Sequence, residues 1–236
     1  MKKIIKYLLL IIFFSAFIFS AYKIISYIIE GNKSKQLNKN LIENSIEIIY
    51  DDLNNKKEIN VDFESLKKEN KDIVGWIYLD DSNINYPVVQ AWDNEYYLRR
   101  LLNGNYNICG TIFMDAENNA NLTDRNTIIY GHNMKNGTMF ADLIKNRKQE
   151  YYDTHKEILY CTPEKKYNLK LFAGLTINDN SYIYNYNIDS NKIKEIIKKS
   201  DFKTDIDVLP EDKIITLSTC AYEYENARYV VMGVLK

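Results

Sequence analysis

The sequence is poor in the residues that most often declare a chemistry. It holds three cysteines (Cys109, Cys161, Cys220) and two histidines (His132, His155). An odd number of widely spaced cysteines is not a disulfide framework, and no CxxC pair offers zinc spacing. No glycine-rich phosphate loop, internal repeat or long low-complexity tract is present. A dominant charge is missing too: beyond residue 30 the chain carries 27 basic and 31 acidic residues, a net of −4. That balance gives no electrostatic reason to propose a nucleic-acid partner.

What is present begins with one hydrophobic run. Residues 4–29 read IIKYLLLIIFFSAFIFSAYKIISYII, with Lys6 and Lys23 as the only charges. The uncharged stretch Tyr7–Tyr22 spans only about 24 Å as a helix, short of a ~30 Å hydrocarbon core. Both lysines can extend their charged ends to the interface, so the whole of 4–29 is long enough to span. A cleaved signal peptide would need a small residue two positions before Ala21, where Phe19 stands. The run therefore predicts an uncleaved membrane anchor. Lys2, Lys3 and Lys6 favour a cytoplasmic N-terminus, against competition from Lys23, Lys33, Lys35 and Lys39.

Residues 32–70 read as polar helix. Leu37, Leu41, Ile42, Ser45, Ile46 and Ile49 fall at helical spacing, followed by Asp51, Asp52, Asn54 and Asn55 as breakers. A second short helix is expected over Asp62–Glu69, capped by Asp62. This part is either a stalk or a small helical cover for the next domain. From Ile73 the period changes. IVGWIYL, INYPVVQ, GTIFMD, NTIIYGH, EILYC, KYNLKLFAGLTI, KIITLSTC and ARYVVMGVL read as eight short strands. So many short strands in about 160 residues predict a mainly β fold, a closed or nearly closed barrel. Helical pieces are expected at Asn94–Leu102, Thr138–Lys145 and Ser190–Lys199, the last capped by Asp189 or Ser190.

Cys220 ends the strand KIITLSTC, on one face with Thr216 and Ser218. Arg228 opens the next strand and can return beside it if CAYEYENAR is a connecting loop. His132 follows a strand that ends at Tyr130. Acyl transfer needs a nucleophile, a proton donor for the leaving amine and a positive group at the developing oxyanion. Cys220, His132 and Arg228 supply these three types, and a nearby guanidinium also favours a thiolate. Each has an ordinary reading as well. A small buried hydrophobe is the commoner fate of a cysteine, and a Gly-His pair is common. Cys109, Cys161 and His155 receive that ordinary reading.

TLSTC (216–220) followed by Arg228, with YGHNMKNGTMF (130–140) upstream, resembles the sortases, and class B sortases in particular. GWIYLDDSNINYPVVQ (75–90), GTIFMD (110–115) and NTIIYGH (126–132) resemble class B segments too. The resemblance implies a closed barrel of about eight strands with an N-terminal helical addition and short inserted helices. The implied organisation is a membrane anchor over 1–30, a helical stalk or addition over 31–70 and a catalytic barrel over 71–236. It further implies a single-pass enzyme outside a Gram-positive cell membrane, needing no metal or organic cofactor. Cys220 would attack a threonine carbonyl in a C-terminal pentapeptide sorting signal of a surface protein. An amine of a peptidoglycan precursor of the lipid II type would resolve the thioacyl enzyme. Asn94, Leu98, Tyr130, Tyr182, Ile183 and Ser218 are the implied substrate contacts. The acidic loop AYEYENA leaves Glu223 and Glu225 either tuning the site or simply solvated. Two rivals remain: an L,D-transpeptidase-like enzyme, whose pattern puts Arg almost directly after Cys where Ala221 and Tyr222 stand, and a non-catalytic binding barrel. None of Pro87, Pro163 and Pro210 forms the Asp-Pro-aromatic lid motif of pilus-building sortases, which points to wall attachment.

Overall fold

The computed structural model describes residues 2–51 and 56–236. A single helix, α1 (Lys2–Ser45), opens the chain. Its apolar run is exposed, while Leu37 and Leu41 pack inward. The expected polar helix stops there. Residues 46–61 instead form an antiparallel hairpin of β1 (Ile46–Asp51) and β2 (Lys56–Val61), with Ile46 opposite Val61 and Ile48 opposite Ile59. The reason lies in the β-branched side chains: Ile46, Ile48, Ile59 and Val61 suit a pleated surface. Ile59 is fully buried in a cluster with Leu41, Leu66 and Trp76. Asp52, Asn54 and Asn55, expected as breakers, lie outside the described residues. Asp62 ends the hairpin and caps α2 (Phe63–Glu69), accepting from the Ser65 amide at 3.0 Å, as its residue type predicts.

All eight expected strands form. They are β3 (Ile73–Tyr78), β4 (Asn85–Val89), β5 (Phe113–Met114), β6 (Asn126–Tyr130), β7 (Glu157–Cys161), β8 (Lys166–Asn178), β9 (Ile214–Cys220) and β10 (Ala227–Leu235). They close into a barrel in the order β10-β8-β7-β3-β4-β5-β6-β9. Closure leaves the barrel no free edge. The β4/β5 and β6/β9 pairs are parallel and the others antiparallel. Alternation sorts the side chains: Ile215, Leu217, Tyr229 and Val231 fill the interior. Val230, Met232 and Val234 face outward under α4 (Ser190–Lys199), whose Ile193 and Ile196 cover them. Strands buried on both faces read as continuous apolar runs, as ARYVVMGVL does. Asp189 caps α4 through the amides of Asn191 and Lys192. A short helix, α3 (Gln149–Thr154), precedes β7.

The expected helix over Asn94–Leu102 shrinks to one 3-10 turn, Tyr97–Arg99. Its carbonyls are used elsewhere. Tyr97 O accepts from the Thr111 amide at 3.0 Å and Arg99 O from the Asn107 amide at 2.9 Å, so they are not free to close α-helical rings. The helix expected over Thr138–Lys145 is likewise a 3-10 turn, Ala141–Arg147.

Candidate active site

One rim of the barrel gathers the reactive side chains. β9 and β10 form a hairpin whose register sets Arg228 directly opposite Cys220. β6 runs parallel to β9 on its other side, with Tyr130 opposite Ser218. The pairing continues past β6, since the Gly131 amide donates to Ser218 O at 3.0 Å and Thr219 Oγ1 donates to Gly131 O at 2.8 Å. Two residues beyond Tyr130 comes His132, and two beyond Ser218 comes Cys220. Cys220 and Arg228 therefore face each other across β9 and β10, and His132, just past the end of β6, reaches the same rim beside them.

These three residues line an open cleft of about 310 Å³ together with Asn94, Leu98, Tyr130, Asp179, Tyr184 and Ser218. That volume falls at the lower end of the range of small-ligand sites. The Cys220 thiol is partly exposed, and its carbonyl accepts from Asn133 Nδ2 at 2.9 Å. Cys109 and Cys161 are buried; burial pushes both thiols up, Cys161 to about 11.

His132 Nε2 lies 2.8 Å from the Leu98 carbonyl oxygen. A carbonyl can only accept, so Nε2 carries the hydrogen and the neutral ring presents Nδ1 as its acceptor. Burial pulls the His132 pKa below its ordinary 6.5; the Leu98 bond opposes this and the Arg99 charge reinforces it. The ring is thus a neutral base near neutral pH.

Arg228 donates from Nη1 to Ala227 O at 3.1 Å, and its Nη2 sits 3.8 Å from Asp179. A guanidinium has five N–H donors, so most remain for an occupant of the cleft. Tyr184 OH shares a 2.8 Å hydrogen bond with Ser218 Oγ, and burial raises the phenol to about 12. Below the cleft, the buried Asp115 carboxylate accepts from Tyr130 OH, Asn94 Nδ2 and Tyr186 OH, each at 2.9 Å. That carboxylate ties three segments of the cleft wall to one point.

Of the residues marked in the sequence, Asn94, Leu98, Tyr130 and Ser218 join Cys220, His132 and Arg228 in the cleft. Tyr182 and Ile183 do not. Tyr182 is exposed beside Lys192, and Ile183 is buried under α4. The 3-10 turn Tyr182–Tyr184 turns Tyr184 into the cleft instead. Glu223 pairs with Arg147. The sequence reading missed Asp115, Asp179 and Tyr184; Tyr184 directly follows the expected contacts Tyr182 and Ile183, and Asp179 stands three residues before them. Among the described residues no group of three or more His, Cys, Asp or Glu is placed to hold a metal ion.

Known proteins resemble this chain in sequence and fold. The family profile described as the Sortase domain matches residues 77–236. Sortase B of Listeria monocytogenes is 34% identical over 96% of this chain and 95% of its own. The crystal structure of sortase B from B. anthracis in complex with AAEK1 superposes with a TM-score of 0.74. It is 35% identical, covering 88% of this chain and 98% of that one. The Staphylococcus aureus sortase B–substrate complex superposes with a TM-score of 0.69. There the identity is 35% over 74% of this chain and 84% of that one. With the Cys-His-Arg set on this barrel rim, the chain belongs to the sortase family, as a class B sortase and a cysteine transpeptidase.

Proposed function

We propose that this transpeptidase cleaves a C-terminal sorting signal after a threonine and passes the acyl group to an amine of a peptidoglycan precursor. The observation that carries the reading is the set of His132, Cys220 and Arg228 in one cleft. Cys220 Sγ attacks the threonine carbonyl carbon while its proton passes to His132 Nδ1. The negative charge that develops on the carbonyl oxygen meets the free donors of Arg228. The C–N bond breaks as His132 Nδ1–H returns the proton to the departing amine, leaving a thioester on Cys220. An incoming amine then attacks the thioester and gives its proton to His132, which reprotonates the released thiolate. Asn94, Leu98, Tyr130 and Ser218 line the path of the peptide, with Tyr184 added. Tyr182, exposed beside Lys192 outside the cleft lining, is retained as an outer contact. Ile183 supports the wall from behind.

The support for the membrane assignment is one exposed helix long and apolar enough to cross a bilayer. Lys2, Lys3 and Lys6 favour a start in the cytoplasm, against Lys23, Lys33, Lys35 and Lys39, and in that orientation the protein is single-pass with the barrel outside. The partners are then surface proteins bearing the signal and a lipid II-type amine, with no nucleic acid.

A quenched-fluorophore peptide library spanning Asn-Pro and Leu-Pro signals tests the reading. Cleavage after threonine, a thioacyl adduct on Cys220 by mass spectrometry, and loss of both in Cys220→Ala are expected. Cleavage that survives Cys220→Ala would end the mechanism.

A further inference from the structure

We propose that the cleft end of the barrel rests on the lipid surface, so that the active site opens at headgroup level. The inference rests on the membrane-anchor proposal and goes beyond it. α1 has no break between its apolar run and its docked part. Side chains from Lys3 to Ile25 are almost all exposed, and packing on the barrel core begins at Tyr27. Counting back from Ser26, twenty residues reach Lys6, about 30 Å of helix and one hydrocarbon thickness. No spacer separates membrane from barrel. Lys23, just inside that boundary, is long enough to lift its charge to the interface.

The segments that receive the helix there are those that build the cleft. Glu30 Oε2 accepts from the Ile108 amide at 2.8 Å, and Glu30 O accepts from Asn107 Nδ2 at 3.0 Å. That loop leads to Gly110, where a Cβ would meet the Leu98 carbonyl oxygen at 2.6 Å. Gly31 lies against Asn136, in the turn that follows His132. Tyr27 packs on the main core, the cluster that also holds Ala221, the residue after Cys220.

The surface around this junction suits a headgroup layer. Tyr106 and Tyr222 are 67% and 73% exposed, too open for packing to explain them. Tyr222 donates to Asn133 O at 3.2 Å, which fixes it beside the cleft. Exposed Lys33, Arg99 and Lys135 stand on the same segments. Aromatic residues with polar tips favour membrane interfaces, and basic residues favour anionic lipid. The other end of the barrel, where β9 begins, exposes Glu211. Seated this way, the cleft meets an amine carried on a lipid, or a substrate whose tail is still in the bilayer, without leaving the surface.

The test uses the full chain in vesicles of equal phosphatidylcholine and phosphatidylglycerol with brominated acyl chains. Trp92→Phe removes the exposed native fluorophore; into it go Phe13→Trp, Tyr106→Trp, Tyr222→Trp or Glu211→Trp. Shallow bromines should quench positions 106 and 222, all depths near the centre should quench 13, and 211 should stay bright. Quenching at 13 with none at 106 and 222, or equal quenching at 211, overturns the inference while leaving the anchor intact. A bright tryptophan at 13 removes the anchor reading and this inference with it.

Discussion

Gly110→Ala probes how the fold sets the proton-transfer group without touching it. Gly110 has φ +58°, and a Cβ there would sit 2.6 Å from Leu98 O and 2.7 Å from Tyr97 O. Ordinary contact begins near 3.4 Å, so the Leu98 carbonyl must retreat by most of an ångström. That carbonyl holds His132 Nε2. The left-handed backbone alone costs ~1–2 kcal/mol. Crowding against backbone adds ~1–3 kcal/mol. Together they should lower Tm by about 4–20 °C in a chain of this size. A reacting group misplaced by ~1 Å can cost 10²-fold in rate, so kcat/KM should fall by about 100-fold. The acid limb of the pH profile, already below 6.5, should move lower still, because the bond that raises the His132 pKa is weakened. Gly104→Ala is the control: φ +79°, but with only Tyr96 OH near, at 3.6 Å. It should lose stability and keep its cleavage rate. A folded Gly110→Ala enzyme cleaving peptide as fast as the parent would refute the coupling.

Arg228→Ala should lower kcat by about 10²–10³, the usual loss of an oxyanion donor, in a stopped-flow cleavage assay. Its 3.8 Å pair with Asp179 is long and partly solvent-exposed, so the stability change should stay within ~1 kcal/mol. Asp115→Ala strands the donors of Tyr130, Asn94 and Tyr186 and should cost ~3 kcal/mol or more in urea unfolding. KM should rise more than kcat falls, since Asn94 and Tyr130 line the cleft. The native fold disfavours protonated His132, so this group adds stability above its unfolded pKa, an addition lost as pH falls through the depressed folded value. Thermal melts from pH ~7 to ~5 should therefore decline less steeply in His132→Ala.

The eight strands were legible because β-branched runs between Asn, Asp and Gly have few other fates. The β1/β2 hairpin was not. Leu37, Leu41, Ile42, Ser45, Ile46 and Ile49 fit one helical face, and only the partner Ile59 decides that pairing wins. Asn94–Leu102 shows the same limit. Its apolar spacing suits a helix, but Thr111 and Asn107 take the carbonyls the helix would need. That Tyr182 and Ile183 stand outside the cleft lining was not legible, because a three-residue 3-10 turn has no period to read. Asp115 looked like an ordinary acid at a strand end, and nothing local reveals that three distant donors converge on it.

His132 and Cys220 lie far apart in sequence, yet the register makes them neighbours. In-register pairing of parallel β6 and β9 carries Tyr130–Ser218 forward to His132–Cys220, and the β9/β10 hairpin brings back Arg228. Side chains alternate along a strand, so a one-residue slip of β9 would turn the thiol off the face it shares with Thr216 and Ser218. The apolar set on β9 forbids that slip: Ile215 and Leu217 would leave the interior, and Thr216 and Ser218 would enter it. The same burial that closes the barrel therefore orients the nucleophile. Substitutions in the β9 core should accordingly damage cleavage through register before they abolish folding.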